Sequence, residues 1–176
     1  MKKIIIISLA FLTITISNAQ VFNTATTLKK GAFALGVEPV IYTSSDDFLL
    51  FVHGGYGIKK GLDFGLKAGL GGGDTYFGAD LEFSLRKNIS LAVGAHNYFD
   101  LGLDGTLLFN IPIRKDIKFI TGVDADIIFS DDSQVPIWIP LGLEVMLRSK
   151  MALHFETEIS VNDYTHILGG GLNFFF

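Results

Sequence analysis

Residues 168–176 read Leu-Gly-Gly-Gly-Leu-Asn-Phe-Phe-Phe, and this stretch decides the fold. Its large apolar residues fall on alternate positions, so that one face holds Leu168, Leu172, Phe174 and Phe176. Asn173 and Phe175 fall on the other face, together with two glycines. Successive side chains of a β-strand point to opposite sides of the sheet, so this period of two predicts a strand with one continuous apolar face.

The same alternation continues through the body of the chain. Rows of apolar residues at every second position run from Phe33 to Ile159 and contain no Asp, Glu, Lys or Arg. The opposite face carries the charge, at Glu38, His53, Asp63, Lys67, Asp80, Glu82, Arg86, His96, Asp104, Lys118, Asp124, Asp126, Glu144, His154, Glu156 and Glu158. A soluble β-sandwich or a lipid-carrier barrel also alternates, but it needs a core on its apolar side. So many bulky residues favour a lipid-facing surface, where a charge costs roughly 2–4 kcal/mol at the bilayer centre.

The connections between the predicted strands alternate in charge. Four tight turns are basic, at Lys59-Lys60, Arg86-Lys87, Arg114-Lys115 and Arg148-Ser149-Lys150. The connections between them are acidic or rich in glycine, at residues 44–47, 71–74, 97–101, 130–133 and 162–163. Successive turns of an up-and-down barrel lie at opposite ends, so the pattern predicts a basic end, shared with both termini, and an acidic end. The number of turns predicts about ten strands, within the range of such barrels. Eight strands is the alternative, because the boundary at residues 97–104 is the weakest of the predicted turns.

The N-terminus has the features of a cleavable export signal. Two lysines precede an apolar stretch over residues 4–16, and Ser17-Asn18-Ala19 supplies small residues for cleavage before Gln20. The stretch is short for a membrane-spanning helix, which needs about 20 apolar residues. The absence of cysteine argues against a lipoprotein anchor and a disulfide framework. We therefore expect a signal peptide at 1–19, a short periplasmic lead-in at 20–30 and the barrel at 31–176.

With an export signal and a terminal strand that ends in phenylalanine, the chain resembles the small outer-membrane β-barrels of Gram-negative bacteria, of the Bacteroidota type. The resemblance implies an all-β, membrane-embedded, up-and-down antiparallel barrel. In that family the assembly machinery reads the last strand, which implies that Phe174 and Phe176 are an assembly signal. The implied partners are outer-membrane lipid, the assembly machinery and a larger outer-membrane complex. Aromatic girdles at both membrane interfaces are typical of such barrels. We assign these residues to the girdle near the acidic end: Tyr42, Phe48, Tyr76, Phe77, Tyr98, Phe99, Phe129, Trp138 and Tyr164.

The charged face is predicted to point into the lumen as a polar network. Its candidate members are His53, Lys67, Asp80, His96, Asp104, Asp124, Asp126, Glu144, His154, Glu156 and Glu158. The strand register can be counted back from each tight turn, with a margin of one ladder step. The count predicts these cross-strand pairs: His53 with Lys67, Asp80 with His96, Glu144 with His154, Thr106 with Asp124 and Asp104 with Asp126. A narrow barrel is filled by its own side chains, so structural filling is the favoured interpretation. A His–carboxylate pair also suits a general base, and carboxylate oxygens suit a divalent cation.

The favoured hypothesis is a structural or accessory barrel without catalytic residues, metal site or cofactor. A net charge of −4 argues against nucleic acid as a partner, because a protein that binds nucleic acid needs a basic stripe on its surface. One alternative is a narrow cation-preferring channel, and the other is a lipid-modifying or proteolytic enzyme. Omptin-like proteases have long outer loops, and the connections here are short. Barrel-type lipid A deacylases use a His, a Ser and an acid on the exterior of the barrel. Here His166 is predicted to face outward beside Tyr164, whereas Ser160 is predicted to face inward, which argues against such a triad.

Overall fold

A computed structural model describes residues 26–43, 47–72, 74–162 and 164–176. Its strands are β1 (Phe33–Tyr42), β2 (Asp47–Lys59), β3 (Leu62–Gly71), β4 (Tyr76–Arg86), β5 (Ile89–Tyr98), β6 (Asp100–Pro112), β7 (Ile117–Phe129), β8 (Ile137–Arg148), β9 (Met151–Ser160) and β10 (Ile167–Phe175). Among the residues of these ranges, no helix is long and apolar enough to cross a membrane. The predicted signal peptide at 1–19 and the first part of the lead-in, at 20–25, lie outside the described residues.

The ten strands close into an antiparallel barrel. Each strand pairs with its neighbours in the chain, and β1 pairs with β10 to complete the ring. This closing seam runs from the pair of Ala34 with Phe175 to the pair of Tyr42 with Ile167. The prediction of an up-and-down barrel of ten strands is confirmed, and the alternative of eight strands is wrong. Closure leaves the sheet without a free edge.

The weakest predicted boundary, around residues 97–104, is a very tight reversal. β5 ends at Tyr98 and β6 begins at Asp100, and these two residues are paired directly. Phe99 alone connects them, with a φ of 60°, in the left-handed region that residues other than glycine rarely adopt. Such a conformation costs on the order of 1–3 kcal/mol, and it persists here because the paired strands on both sides determine it.

The two faces of the sheet differ as the alternation predicts. Outward side chains are apolar and exposed, and Leu66 and Phe77 reach 54% and 59% exposure. Inward side chains are mostly polar and buried, and Glu144 and His154 are 1% and 0% exposed. An exposed apolar surface that surrounds a whole domain marks contact with a membrane or with another protein.

The two ends of the barrel carry opposite charge, as predicted. The basic end holds the four tight turns and the C-terminus, and its cations are Lys29, Lys30, Lys59, Lys60, Arg86, Lys87, Arg114, Lys115, Arg148 and Lys150. The acidic end holds the other connections, and its described carboxylates are Asp74, Asp100, Asp131 and Asp132. The predicted acidic positions at 44–46 and 163 lie outside the described residues.

The basic end is filled by the N-terminal segment, residues 26–32. Leu28 is 3% exposed and forms an apolar cluster with Ala32, Ala34, Ala152 and Phe175. The cluster therefore joins the segment to β1, β9 and β10, on both sides of the closing seam. No pattern in the sequence indicated this packing, because the segment is short and its residues are of mixed polarity.

Hydrogen bonds fix the N-terminal segment against the lumen wall. The Leu28 N–H donates to Asp63 Oδ2 over 2.7 Å, and the Gly57 N–H donates to the Ala32 carbonyl over 2.9 Å. A Cβ atom at position 57 would lie 1.9 Å from the carbonyl oxygen of Lys29. Only glycine at this position of β2 leaves room for the segment.

Leu28→Ala should destabilise the barrel by about 2–5 kcal/mol, because the shortened side chain leaves a cavity in the cluster at the basic end. Lys29→Ala is the matched control, since this neighbouring side chain is exposed and its loss should change stability by less than about 0.5 kcal/mol. Urea unfolding of the refolded chain in lipid vesicles, followed by circular dichroism, measures both effects. Equal unfolding midpoints for the two variants would contradict the packing of the segment.

Candidate functional site

Every residue of the predicted polar network lies on the inward face of its strand. Buried members are His53, Asp80, Asp124, Asp126, Glu144 and His154. Partly buried members are Lys67, His96, Asp104, Glu156 and Glu158. The lumen is therefore lined by polar side chains that are largely withdrawn from solvent, and their charges must find partners within the barrel.

Lys67 is the cation at the middle of the lumen. Its Nζ lies 3.1 Å from Asp80 Oδ2. The backbone pairs His53 with Lys67, as predicted, but the His53 ring contacts Glu38 instead, with 3.5 Å between Nε2 and Oε2. Both contacts are diagonal across neighbouring strands, which long side chains reach easily. The backbone pairing alone therefore does not determine which charges meet.

The predicted pairing of Asp80 with His96 is displaced by one ladder step, which is the margin given for these counts. Asp80 is paired with Gly94 and His96 with Gly78, because the strands already pair at Arg86 with Ile89 and a bulge between Ser84 and Arg86 precedes the turn. His96 meets two other carboxylates. Its Nδ1 lies 3.5 Å from Asp104 Oδ2, and its Nε2 lies 3.8 Å from Asp126 Oδ2. The ring thus bridges the carboxylates of β6 and β7.

The remaining predicted pairings are confirmed by the backbone, and they are Glu144 with His154, Thr106 with Asp124 and Asp104 with Asp126. The shortest ionic contacts again involve other neighbours. Glu144 Oε1 lies 2.7 Å from Lys118 Nζ, and His154 Nε2 lies 3.0 Å from Glu156 Oε2. Glu144 and His154 therefore lie opposite each other on the backbone, and each also contacts a different charged neighbour.

The half of the lumen towards the acidic end encloses a cavity of about 670 Å³, which we call the acidic cup. One wall consists of carboxylates on β6, β7 and β9, at Asp104, Asp124, Asp126, Glu156 and Glu158. The strands β1, β2, β4 and β5 contribute the aromatic side chains of Tyr42, Phe51, Tyr76 and Tyr98, together with Glu38, His53 and His96. Phe99, Ser130 and Tyr164, in the connections of the acidic end, also line the cavity, so its mouth lies there.

The aromatic lining of the acidic cup corrects one prediction. Tyr42, Tyr76, Tyr98 and Trp138 do not belong to an exterior girdle, because all four point inward and line the acidic cup. The Tyr76 ring stacks on His96 with 5.4 Å between ring centroids. Their parity along the strands, which matches the charged face, is the signal that identifies them. The other assigned aromatics are exposed, and they are Phe48, Phe77, Phe99, Phe129 and Tyr164.

The acidic cup ends where the lumen becomes packed. Leu108 lines the cavity and packs against Ile120, and both are 2% exposed. Beyond them lies the apolar cluster of Leu28, Ala152 and Phe175 at the basic end. The lumen therefore has an open half towards the acidic end and a filled half towards the basic end.

Glycines on the inward face make room for the charged side chains. A Cβ atom at Gly102 would lie 2.3 Å from His96 Nε2, and one at Gly169 would lie 2.3 Å from Glu38 Oε1. The imidazole and the carboxylate therefore lie directly over glycine backbone. The arrangement of the network depends on these small residues as much as on the charges.

The other chemistry considered from the sequence concerns His166 and metal ions. His166 is exposed near the acidic end, and its Nδ1 accepts the backbone N–H of Ser160 over 3.0 Å. The Ser160 hydroxyl accepts the N–H of Tyr164 over 2.9 Å, so it is engaged by the loop backbone. Within the described ranges, no group of three or more His, Cys, Asp or Glu side chains is arranged to hold a metal ion.

No protein-family model matches the chain, and no curated protein sequence matches it. Solved structures match it in shape. A NanC porin structure has a TM-score of 0.58 at 9% identity and covers 80% of this chain and 98% of that chain. A de novo designed transmembrane β-barrel has a TM-score of 0.46 at 13% identity and covers 84% of this chain and 98% of that chain. The N-terminal β-barrel domain of Pseudomonas aeruginosa OprF has a TM-score of 0.40 at 12% identity, with coverage of 84% and 98%.

At these identities the likeness shows the fold alone, and the porin structure carries it, with the highest of the three scores. The chain has a small outer-membrane-type β-barrel fold. Its lumen has an acidic and aromatic cup towards one end and an apolar cluster at the other.

Lys67→Met should destabilise the barrel by about 3 kcal/mol, because it leaves the buried Asp80 carboxylate without its cation. Adding Asp80→Asn to this variant should recover part of the loss, which a double-mutant cycle detects. Lys60→Met removes an exposed cation in the β2–β3 turn and is the control, with little expected effect. Urea midpoints in lipid vesicles measure these three variants and the Asp80→Asn single variant, which completes the cycle. Strict additivity of the two lumen substitutions would show that the contact of Lys67 with Asp80 contributes nothing.

Proposed function

We propose that this chain is an outer-membrane β-barrel of a Gram-negative bacterium, with a structural or accessory-subunit role and without catalytic activity. The observation that supports the proposal is the belt of exposed apolar side chains around the barrel. On the described strands, no Asp, Glu, Lys or Arg faces outward between the strand ends. The strands are nine to thirteen residues long, and a tilted transmembrane strand needs about 9–11.

The charges at the two ends fit a barrel that spans a bilayer. Between the basic and acidic ends, each strand contributes exposed apolar residues, such as Leu35, Leu66, Leu103, Ile127 and Phe155. In hydrocarbon every backbone N–H and C=O must be satisfied within the protein, and a closed barrel satisfies them between strands. The proposed membrane position thus accounts for both the closure and the exterior.

The proposed location and orientation follow from the ends of the chain. The predicted signal peptide would direct export, and Phe174 and Phe176 would be read by the assembly machinery of the outer membrane. The basic end, which holds the C-terminus and the N-terminal segment, would face the periplasm. The acidic end and the mouth of the acidic cup would then face the exterior. Lipid and a larger outer-membrane complex are the proposed partners of the apolar belt.

The filled half of the lumen supports a barrel that does not conduct. Leu28, Ala152 and Phe175 occupy the basic end, and Leu108 with Ile120 closes the floor of the acidic cup. A solute that enters at the acidic end therefore meets packed side chains before it reaches the basic end. The second candidate is a cation-preferring channel, which the acidic lining of the open half favours. Conduction would require the side chains that fill the basic end to move.

The membrane position predicts a dependence on depth for charge on the exterior. Leu66 and Leu85 are equally exposed, at 54% and 55%, but Leu66 lies mid-strand and Leu85 lies next to the basic end. Leu66→Arg should destabilise the barrel in lipid vesicles by about 2–4 kcal/mol, and Leu85→Arg by about 0–1 kcal/mol. Urea unfolding of both variants in vesicles measures the difference. Equal small effects would place the exterior in water and contradict the proposal.

If the barrel does not conduct, a planar bilayer that contains it should show no ionic current through the protein. The refolded mature chain, inserted at a level verified by heat-modifiable gel mobility, should give no stable unitary current, while a porin inserted under the same conditions does. Stable currents with a cation-selective reversal potential would establish the channel instead. A pull-down from native membranes then tests the accessory role. If the chain purifies without a stoichiometric partner, the accessory role is contradicted and only the structural role remains.

A further inference from the structure

We infer that the basic end of the barrel binds the phosphate groups of anionic phospholipids through three cations on its outer surface, Lys59, Arg86 and Arg148. These lipids belong to the shell around the apolar belt, in the leaflet next to the basic end. The inference rests on the proposed membrane position, and it adds the class of lipid and the residues that contact it.

A register shift turns the last cation of β2 to the outside of the barrel. The ladder joins Gly57 to Asp63 and then Lys59 to Leu62, so Ile58 is an extra residue in β2. Two residues that oppose one residue of the partner strand form a β-bulge, which redirects the side chains beside it. Strict alternation from the inward Gly57 would point Lys59 into the lumen. The bulge instead places Lys59 on the outer face, opposite Leu62.

The same bulge recurs at two further basic turns. The residues are Leu85 and Arg86 opposite Ile89 in the β4–β5 hairpin, and Leu147 and Arg148 opposite Met151 in the β8–β9 hairpin. Directly paired residues of neighbouring strands point to the same side of the sheet. The partner of each cation lies on the outer face, because it is also paired with an exposed phenylalanine: Leu62 with Phe83, Ile89 with Phe109 and Met151 with Phe174. The three cations therefore lie on the exterior of the sheet.

The three bulged cations are not neutralised within the described part of the protein. Each of them is exposed, and none takes part in an ion pair with another described residue. Asp116, in the β6–β7 turn, is the only exposed carboxylate side chain among the described residues of the basic end. The bulges therefore present positive charge that an anion from the surroundings can neutralise.

Each cation lies at the edge of the apolar belt. The preceding bulge residues Ile58, Leu85 and Leu147 are 41%, 55% and 47% exposed. Long basic side chains lay their methylene groups on such a surface and extend the charged group to the water interface. This is the depth of the phosphate groups in a bilayer whose acyl chains cover the belt. A phospholipid joins an anionic group to acyl chains, so it matches both parts of this surface.

The chemistry of the cations favours a headgroup with a net negative charge. A guanidinium group forms two parallel hydrogen bonds with a phosphate, and an ammonium group attracts it as a point charge. In a zwitterionic lipid, the choline or ethanolamine group carries a compensating positive charge, which the cations repel. Neighbouring hairpins of the basic end lie two strand spacings apart, roughly 10 Å, so adjacent cations are far enough apart to contact different lipids.

Electron paramagnetic resonance of spin-labelled lipids measures this selectivity. The refolded chain is inserted into phosphatidylcholine vesicles that contain a trace of spin-labelled phosphatidylglycerol or phosphatidylcholine, and the motionally restricted fraction reports the lipid at the protein surface. At low salt, phosphatidylglycerol should associate about twofold or more strongly, averaged over the lipid shell, since one basic side chain near the surface favours an anionic lipid by roughly fivefold. About 1 M NaCl should remove most of this preference by screening.

Two triple variants separate the bulged positions from net charge. The first removes the bulged cations by Lys59→Gln, Arg86→Gln and Arg148→Gln, and it should lose most of the preference. The second removes the next cation of the same three turns by Lys60→Gln, Lys87→Gln and Lys150→Gln, at positions beyond the last ladder pair. It changes the net charge equally and should keep most of the preference. Heat-modifiable gel mobility and circular dichroism verify that both variants remain folded.

The outcomes separate this inference from the membrane position. A preference for phosphatidylglycerol that falls with salt and depends on the bulged cations supports the inference. It is overturned, with the membrane position intact, if both labelled lipids are restricted to the same extent or if the two triple variants lose the preference equally. If neither lipid shows a motionally restricted fraction, the membrane position fails and the inference fails with it.

Discussion

The seam between β1 and β10 is the interaction on which the rest of the structure depends. It converts a sheet with two free edges into a ring, so that the backbone groups of every strand are paired within the protein. Closure also gives each residue one of two environments, exterior or lumen. The parity of a position along its strand then decides whether its side chain must be apolar or must find a polar partner. The N-terminal segment packs against both strands of this seam and adds apolar contacts where the ring is completed.

The sequence was sufficient for the architecture because a barrel repeats one simple rule. Alternation located the strands, and the alternating charge of the turns ordered them into an up-and-down ring. The tight reversal at Phe99 was the least certain boundary, since no glycine or Asn-Gly pair marks it. A register shift lies next to the β2–β3, β4–β5 and β8–β9 turns alike, and counting across these turns gave the pairs His53 with Lys67 and Glu144 with His154 correctly but displaced the pairing of Asp80 by one ladder step.

The site was less predictable than the fold because side chains do not follow the backbone ladder. Lys67 reaches diagonally to Asp80, and His96 bridges Asp104 and Asp126, which no turn count anticipates. These contacts depend on glycines such as Gly102, over which the rings and carboxylates lie. The division of the lumen into an open and a filled half was not predictable either. It results from Leu108 and Ile120 at the floor of the acidic cup and from the N-terminal segment, whose residues show no periodicity.

The filled basic end has a consequence for how the barrel relates to its surroundings. In the proposed membrane position, a lumen that is open at the acidic end and filled at the basic end exchanges solutes with the exterior only. A concentration difference across the membrane would then drive no net flow through the barrel. The solutes in the lumen would follow the composition of the medium at the acidic end for as long as Leu28 stays packed in the basic end.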